Sequence, residues 1–233
     1  MTALRKAQAE LLEHVLQGVR SPMREALHRE LTSWLVERKR FAVLLSANRD
    51  KVRKKLRAAS DDAALLDVRA ELLVAALLCA DRRFELAFEP YGSARGGPDF
   101  AVVFRENQRF DLEVTRLRPA PPGASAGDSV RLTRALLGKL PQLKPGVPNV
   151  VALVTRASPS VAAVAAVVRT LKMRAGATDA AFVTRLSAIV TLGDGGGALS
   201  LGPDARHPLQ REVAVALSRC LSDVSASAGD RTR

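Results

Sequence analysis

The chain has 233 residues, 47% of them apolar and 26% charged, with 36 Lys and Arg against 24 Asp and Glu, a formal charge of +12. That length holds one large domain or one domain with a helical appendage. No apolar run approaches the roughly 20 residues of a membrane span, and the first residues mix charges into their apolar positions, unlike a secretory signal. The positive charge suits a polyanion such as nucleic acid or an anionic membrane surface, and the expectation is a soluble, cytoplasmic protein with no membrane partner.

Residues 2–57 carry a helical pattern: Leu4, Leu11, Leu12, Val15, Leu16 and Val19 recur at spacings of three and four, and Ser21-Pro22 reads as a cap followed by a first-turn proline. Two or three helices are expected, the second over 22–45 with Leu27, Leu31, Trp34, Leu35 and Phe41 along one stripe. A basic cluster follows: Arg49, Lys51, Arg53, Lys54, Lys55 and Arg57. Residues 1–60 hold fourteen Lys and Arg against six Asp and Glu, so +8 of the +12 lies in about a quarter of the chain. The cluster reads either as a solvated helix face or as a surface for a phosphate backbone. Without interleaved aromatic residues it is not a base-stacking platform.

A long apolar helix is expected over 63–81, with Glu71 set among Val68, Leu72, Leu73, Val74 and Ala75. A carboxylate there is costly to bury unless it is paired or borders a polar cleft; the alternative is that it points outward or pairs with Arg69 or a neighbouring arginine. Three strands follow, at 84–88, 99–104 and 110–117, the last two forming a hairpin through the polar turn 105–108. Beyond the Pro/Gly-rich stretch 119–127 come a helix at 129–140, an apolar strand at 150–155, a helix at 160–173, a buried strand at 186–192, a glycine turn at 194–197 and a closing helix at 208–221. Residues 225–233 read as a frayed tail. The order implies a sheet with both parallel and antiparallel pairs.

Cys79 and Cys220 lie in apolar helical patterns with no Cys or His at metal-ligand spacing, and read as core thiols. The histidines are scattered, no Ser-His-Asp or Cys-His set assembles, and the glycine stretches at 92–97 and 193–197 match no nucleotide-binding fingerprint. The chemistry concentrates in the hairpin. Asp99 begins one strand; in the next, Asp111, Glu113 and Thr115 share one face while Phe110, Leu112 and Val114 share the other. Two carboxylates held side by side call for a shared proton or a hard divalent cation, magnesium or manganese. The alternative makes Asp99 and Glu113 edge acids paired with Arg95, Arg109 or Arg116.

A helix bearing Glu71, a hairpin with Pro98-Asp99 and then Glu113-Val114-Thr115, a helix and a further strand resemble the core order of the PD-(D/E)xK nuclease superfamily over residues 63–156. The resemblance implies a restriction-endonuclease-like α/β (α+β) core, with a mixed central sheet flanked by helices and an N-terminal helical extension. It implies Glu71, Asp99 and Glu113 as ligands of magnesium or manganese. It also implies that Asp99, Glu113 and Thr115 are catalytic positions, although Thr115 stands where the family has its lysine. The helix after the hairpin offers Arg131, Arg134, Lys139 and Gln142 as substitutes, with Lys139 preferred, and an ordinary solvated lysine is the alternative for it. The expected divisions are a basic helical region (1–60), the core (61–224) and the tail (225–233). The expected function is a metal-dependent or degenerate nuclease acting on nucleic acid, DNA in preference to RNA, with the basic cluster on the backbone. The alternative is a catalytically silent nucleic-acid-binding or protein-interaction module of the same fold; a homodimer or a protein partner is left open.

Overall fold

The computed structural model describes residues 3–92, 97–118, 128–156, 159–174, 181–194 and 196–229. It divides the chain into two compact units, Met1–Arg82 and Arg83–Arg233. The boundary therefore falls after Arg82 rather than after residue 60, and the helix that carries Glu71 groups with the helices before it. Side-chain bonds tie it there. Arg69 donates from Nε and Nη2 to both carboxylate oxygens of Glu30, at 2.5 and 2.6 Å, and Lys55 reaches Glu71 at 2.6 Å.

The first unit holds α1 (Ala3–Leu16), α2 (Arg24–Glu37), α3 (Lys39–Ala47), α4 (Arg49–Ala58) and α5 (Asp62–Leu78). The single helix expected over 22–45 is two helices, broken at Arg38, whose φ of −130° and ψ of 85° leave the helical region. On the two sides of the break, Trp34 and Phe41 are both buried and meet edge to face, with centroids 6.1 Å apart. The expected cap is displaced: the Ser21 hydroxyl accepts from the Met23 N–H, and α2 starts at Arg24. Asp61 caps α5 by accepting from the Ala64 N–H at 2.7 Å, satisfying one of the donors a helix start leaves open.

The second unit runs β1 (Phe84–Phe88), β2 (Phe100–Phe104), β3 (Gln108–Arg116), α6 (Asp128–Lys139), a 3-10 turn (Leu140–Gln142), β4 (Asn149–Val154), α7 (Val161–Arg174), β5 (Leu186–Gly193), β6 (Gly196–Leu201) and α8 (Arg211–Gly229). The strands form one six-stranded sheet in sequence order. The β3–β4 and β4–β5 pairs are parallel; the others are antiparallel. This is the mixed α/β sheet flanked by helices that the sequence implied. One face carries an aromatic ladder, with Phe84 packed on Phe104 and Phe110, and Phe88 on Phe100. On the other, Leu132, Leu136 and Leu140 pack with Val164, Val167 and Leu171 over Val151, Leu153 and Ile189.

Three expectations are corrected. Asp99 precedes β2, which starts at Phe100. The glycine turn leads into a strand, β6, that glycine-rich sequence disguises: a Cβ on Gly197 would stand 2.8 Å from the Thr191 carbonyl oxygen, so the close pairing with β5 requires glycine. The closing helix starts at Arg211, not 208, and continues through Gly229, so residues 225–229 are helical; 230–233 lie outside the described residues, as do 93–96 and 119–127. Among the described residues no helix is long and apolar enough to cross a membrane.

Candidate functional site

The site grows from the alternation of β3. Phe110, Leu112 and Val114 continue the aromatic face, so Asp111, Glu113 and Thr115 project to the side where α6 and α7 pack. In register, Glu113 lies beside Val151 and Thr115 beside Leu153, both under the helices. Glu113 is thereby buried, with 3% of its surface exposed. Asp99, half-buried just before β2, reaches across the hairpin, and its Oδ2 accepts from the Val114 N–H at 2.8 Å. That bond sets the Asp99 carboxylate next to the Glu113 position.

A cation arrives from α6. Leu132 and Leu136 form its inner stripe, which Leu140 continues in the 3-10 turn, and Lys139, three residues after Leu136, borders that stripe. Its Nζ stands 2.5 Å from Glu113 Oε1. Glu113 Oε2 is buried and makes no hydrogen bond. Burial pushes the Glu113 carboxyl up to about 7; the Asp99 charge pushes the same way, and Lys139 pulls against both. The arrangement is two carboxylates and an ammonium at one buried strand position, with one carboxylate oxygen unsatisfied.

Could these residues hold the dication that the resemblance implies? Among the described residues no group of three or more His, Cys, Asp and Glu is gathered for a metal. Magnesium, however, is commonly bound by one or two carboxylates, keeping waters and substrate phosphate oxygens for the remaining positions. Asp99 and Glu113 fit that description, and the unsatisfied Oε2 is a donor of the right kind.

The other expected residues are distributed differently. Glu71 is buried in the helical unit, where its Oε2 takes the Lys55 ammonium at 2.6 Å; this pairing accounts for a carboxylate among apolar neighbours. Thr115 is half-buried on the Glu113 face. Arg131 is bonded to the Arg118 carbonyl oxygen, Arg134 is exposed and Gln142 half-buried. Of the alternative partners for the acids, Arg95 lies outside the described residues and Arg109 is drawn to Asp111.

The basic cluster lies on α4, whose Val52 and Leu56 are buried. Arg49, Lys51, Lys54 and Arg57 are exposed. Arg53 is engaged with Asp50 at 3.3 Å and with Gln17 at 3.1 Å, and Lys55 with Glu71. The exposed face of α4 is thus carried by four of the six cations.

One polar group was placed on the right face by the sequence but given no role. Asp111 is 1% exposed, and neither carboxylate oxygen makes a hydrogen bond. Arg109 Nη2 stands 3.7 Å from its Oδ1, an ion-pair distance, and donates instead to the Tyr91 hydroxyl at 2.7 Å. Lys144 Nζ lies 5.5 Å from the centroid of the Tyr91 ring. Burial pushes the Asp111 carboxyl up, while the charges of Arg109 and Lys144 pull it down. The signal was the strict alternation Arg109, Asp111, Glu113 on a strand whose other face is apolar. Comparison with protein-family models, with curated proteins and with solved structures gives no match.

Proposed function

We propose that this protein is a nuclease that hydrolyses phosphodiester bonds of nucleic acid, DNA in preference to RNA, at a site formed by Asp99, Glu113 and Lys139 with magnesium or manganese. The observation that carries the reading is the Lys139 ammonium 2.5 Å from Glu113 Oε1, in a strand position flanked by Asp99. Phosphodiester hydrolysis needs negative groups to hold a cation and a positive group to meet charge growing on the phosphate. Here the positive group comes from α6, in place of the lysine that Thr115 lacks.

A bound dication supplies Lewis-acid polarisation of the phosphate and a more acidic water. Asp99 and Glu113 would hold it, Asp99 oriented by the Val114 N–H. Lys139, bordering the inner stripe of α6, would place its charge against a non-bridging phosphate oxygen as negative charge develops there. The Thr115 hydroxyl lies on the same face and is a polar contact for substrate or water. The exposed cations of α4, Arg49, Lys51, Lys54 and Arg57, suit sequence-independent contact with a phosphate backbone. A cytoplasmic setting belongs to the same proposal.

A second reading, a nucleic-acid-binding module that does not cut, draws on the same pair. Lys139 closed on Glu113, with Thr115 at the lysine position, is also what a silent site would look like. The deciding experiment incubates the protein and its Glu113→Ala variant with labelled duplex DNA, single-stranded DNA and RNA, in magnesium, manganese or chelator. Metal-dependent cleavage that vanishes in the variant supports the nuclease. Binding that persists in chelator, with no cleavage under any condition, supports the silent module.

A further inference from the structure

We propose that Arg109 and Lys144, set around the buried Asp111 carboxylate, form a phosphate subsite that grips the nucleic-acid backbone one step along β3 from Glu113. The inference rests on the nucleic-acid reading above, and it concerns binding rather than hydrolysis.

Lys139 is paired with Glu113 and Lys55 with Glu71. Among the described residues, the charges that act on Asp111 are two cations, Arg109 and Lys144. Among the described residues Lys144 Nζ makes no hydrogen bond or ion pair; it stands over the Tyr91 ring and within reach of the Asp111 charge. Arg109 gives a single hydrogen bond, to Tyr91, out of the five a guanidinium can donate. The cluster therefore carries excess positive charge and unengaged N–H groups, which suits a diffuse anion with several acceptor oxygens.

Asp111 explains why the cations stay together. A carboxylate with 1% exposure and no hydrogen bonds is not a surface partner that neutralises one guanidinium edge to edge. Its field holds both cations near the sheet while leaving their donors available. Tyr91 completes the arrangement: its hydroxyl fixes Arg109, and its ring backs Lys144. The ring itself sits against Gly97, where a Cβ would come within 3.0 Å of it. The Arg109 side chain is 47% exposed, so its outer edge is open to a ligand.

Position then selects the ligand. Asp111 and Glu113 are two residues apart on one strand face, about 6.6 Å at strand rise, comparable to one nucleotide step in an extended backbone. A phosphodiester at Glu113 would bring its neighbouring phosphate toward Arg109 and Lys144.

The test measures binding of a labelled 20-nucleotide single strand and of a 20-base-pair duplex to the full chain, in chelator, over a salt series. Arg109→Gln and Lys144→Gln should each weaken binding about tenfold and reduce the slope of log affinity against log salt by about 0.7–0.9, the value of one lost phosphate contact. Arg169→Gln, an exposed cation of α7, is the control for lost net charge. Variants that bind as the control does, or a wild type that binds neither probe, overturn the subsite. Absence of cleavage in magnesium, with binding that still depends on Arg109 and Lys144, would instead remove the hydrolytic reading and leave the subsite standing.

Discussion

The ammonium of Lys139 and the carboxylate of Glu113 meet at 2.5 Å, although 26 residues separate them in the chain. Removing one member of a buried ion pair leaves the other uncompensated, typically at about 3–5 kcal/mol. Lys139→Met should therefore lower stability in urea by about 3 kcal/mol and, if the site cuts, lower the cleavage rate by about 10²–10³-fold, the scale of losing one preorganised charge donor. Lys139→Arg should recover much of the stability. Full activity in Lys139→Met would remove the lysine from the mechanism.

The raised carboxyl of Glu113 has a signed consequence for the metal-free protein. Its ordinary value is 4.5 and its value in the fold about 7, so between these pH values the folded state binds more protons than the unfolded chain. The stability linked to Glu113 is fully present below about 4.5 and is lost as pH rises through 7, by about 3 kcal/mol. Relative to Glu113→Gln, which cannot titrate, the wild type should lose thermal stability from pH 5 to 8 in chelator. Parallel stability curves for the two proteins would contradict the assignment.

Within α4, cations of the same sequence cluster should behave differently. Lys55→Met breaks the buried pair with Glu71 and should cost about 3 kcal/mol. The double change Lys54→Gln and Arg57→Gln should leave folding within about 1 kcal/mol, since surface substitutions away from specific features have small effects. If α4 faces a phosphate backbone, the double variant should also flatten the salt dependence of binding by about 1.4–1.8 slope units. Denaturant unfolding and salt-dependent binding check the two halves.

How far the sequence exposes all this depends on the kind of pattern involved. Strand alternation at 110–115 made the Glu113 face legible, because a period of two leaves no freedom about which side a residue occupies. Lys139 is named through the family resemblance alone, which looks to the next helix for the missing charge; its place beside Leu132 and Leu136, which brings it to Glu113, is visible in the fold. The break at Arg38 was not legible, since the apolar spacing of Trp34 and Phe41 is compatible with one helix or two. Strand β6 was hidden because its pairing depends on an absent Cβ at Gly197, and glycine reads as a turn residue. The Lys55–Glu71 pair was invisible, since contacts across 16 positions leave no local periodic trace.

Glycines give a sharp contrast. Gly197→Ala should destabilise by about 2 kcal/mol or more, because its Cβ would meet backbone at 2.8 Å, a form of overpacking. Gly138→Ala, in the last turn of α6 with nothing within 4 Å of the added atom, should stabilise by about 0.5 kcal/mol. Thermal melts of the two variants should shift in opposite directions.

Cys79 is 6% exposed, and burial pushes its thiol up to about 11, with Arg40 and Arg38 pulling the other way. At pH 8 almost no thiolate forms in the native state, and the thiolate is the reactive species. Reaction with a thiol reagent should therefore be slow and should accelerate on adding denaturant; rapid modification in the native protein would show that the helix end opens readily.

The chain has one tryptophan and one tyrosine, and the fold assigns them to different units: Trp34 is buried against Phe41 in the helical unit, while Tyr91 stands half-exposed beside Arg109 and Lys144 in the α/β unit. The molecule thus carries two built-in optical reporters. Indole emission follows melting of the helices, and phenol absorbance follows the sheet and its cationic corner. Inorganic phosphate, transparent where the phenol absorbs, should perturb that signal directly when it binds at the corner, without any label.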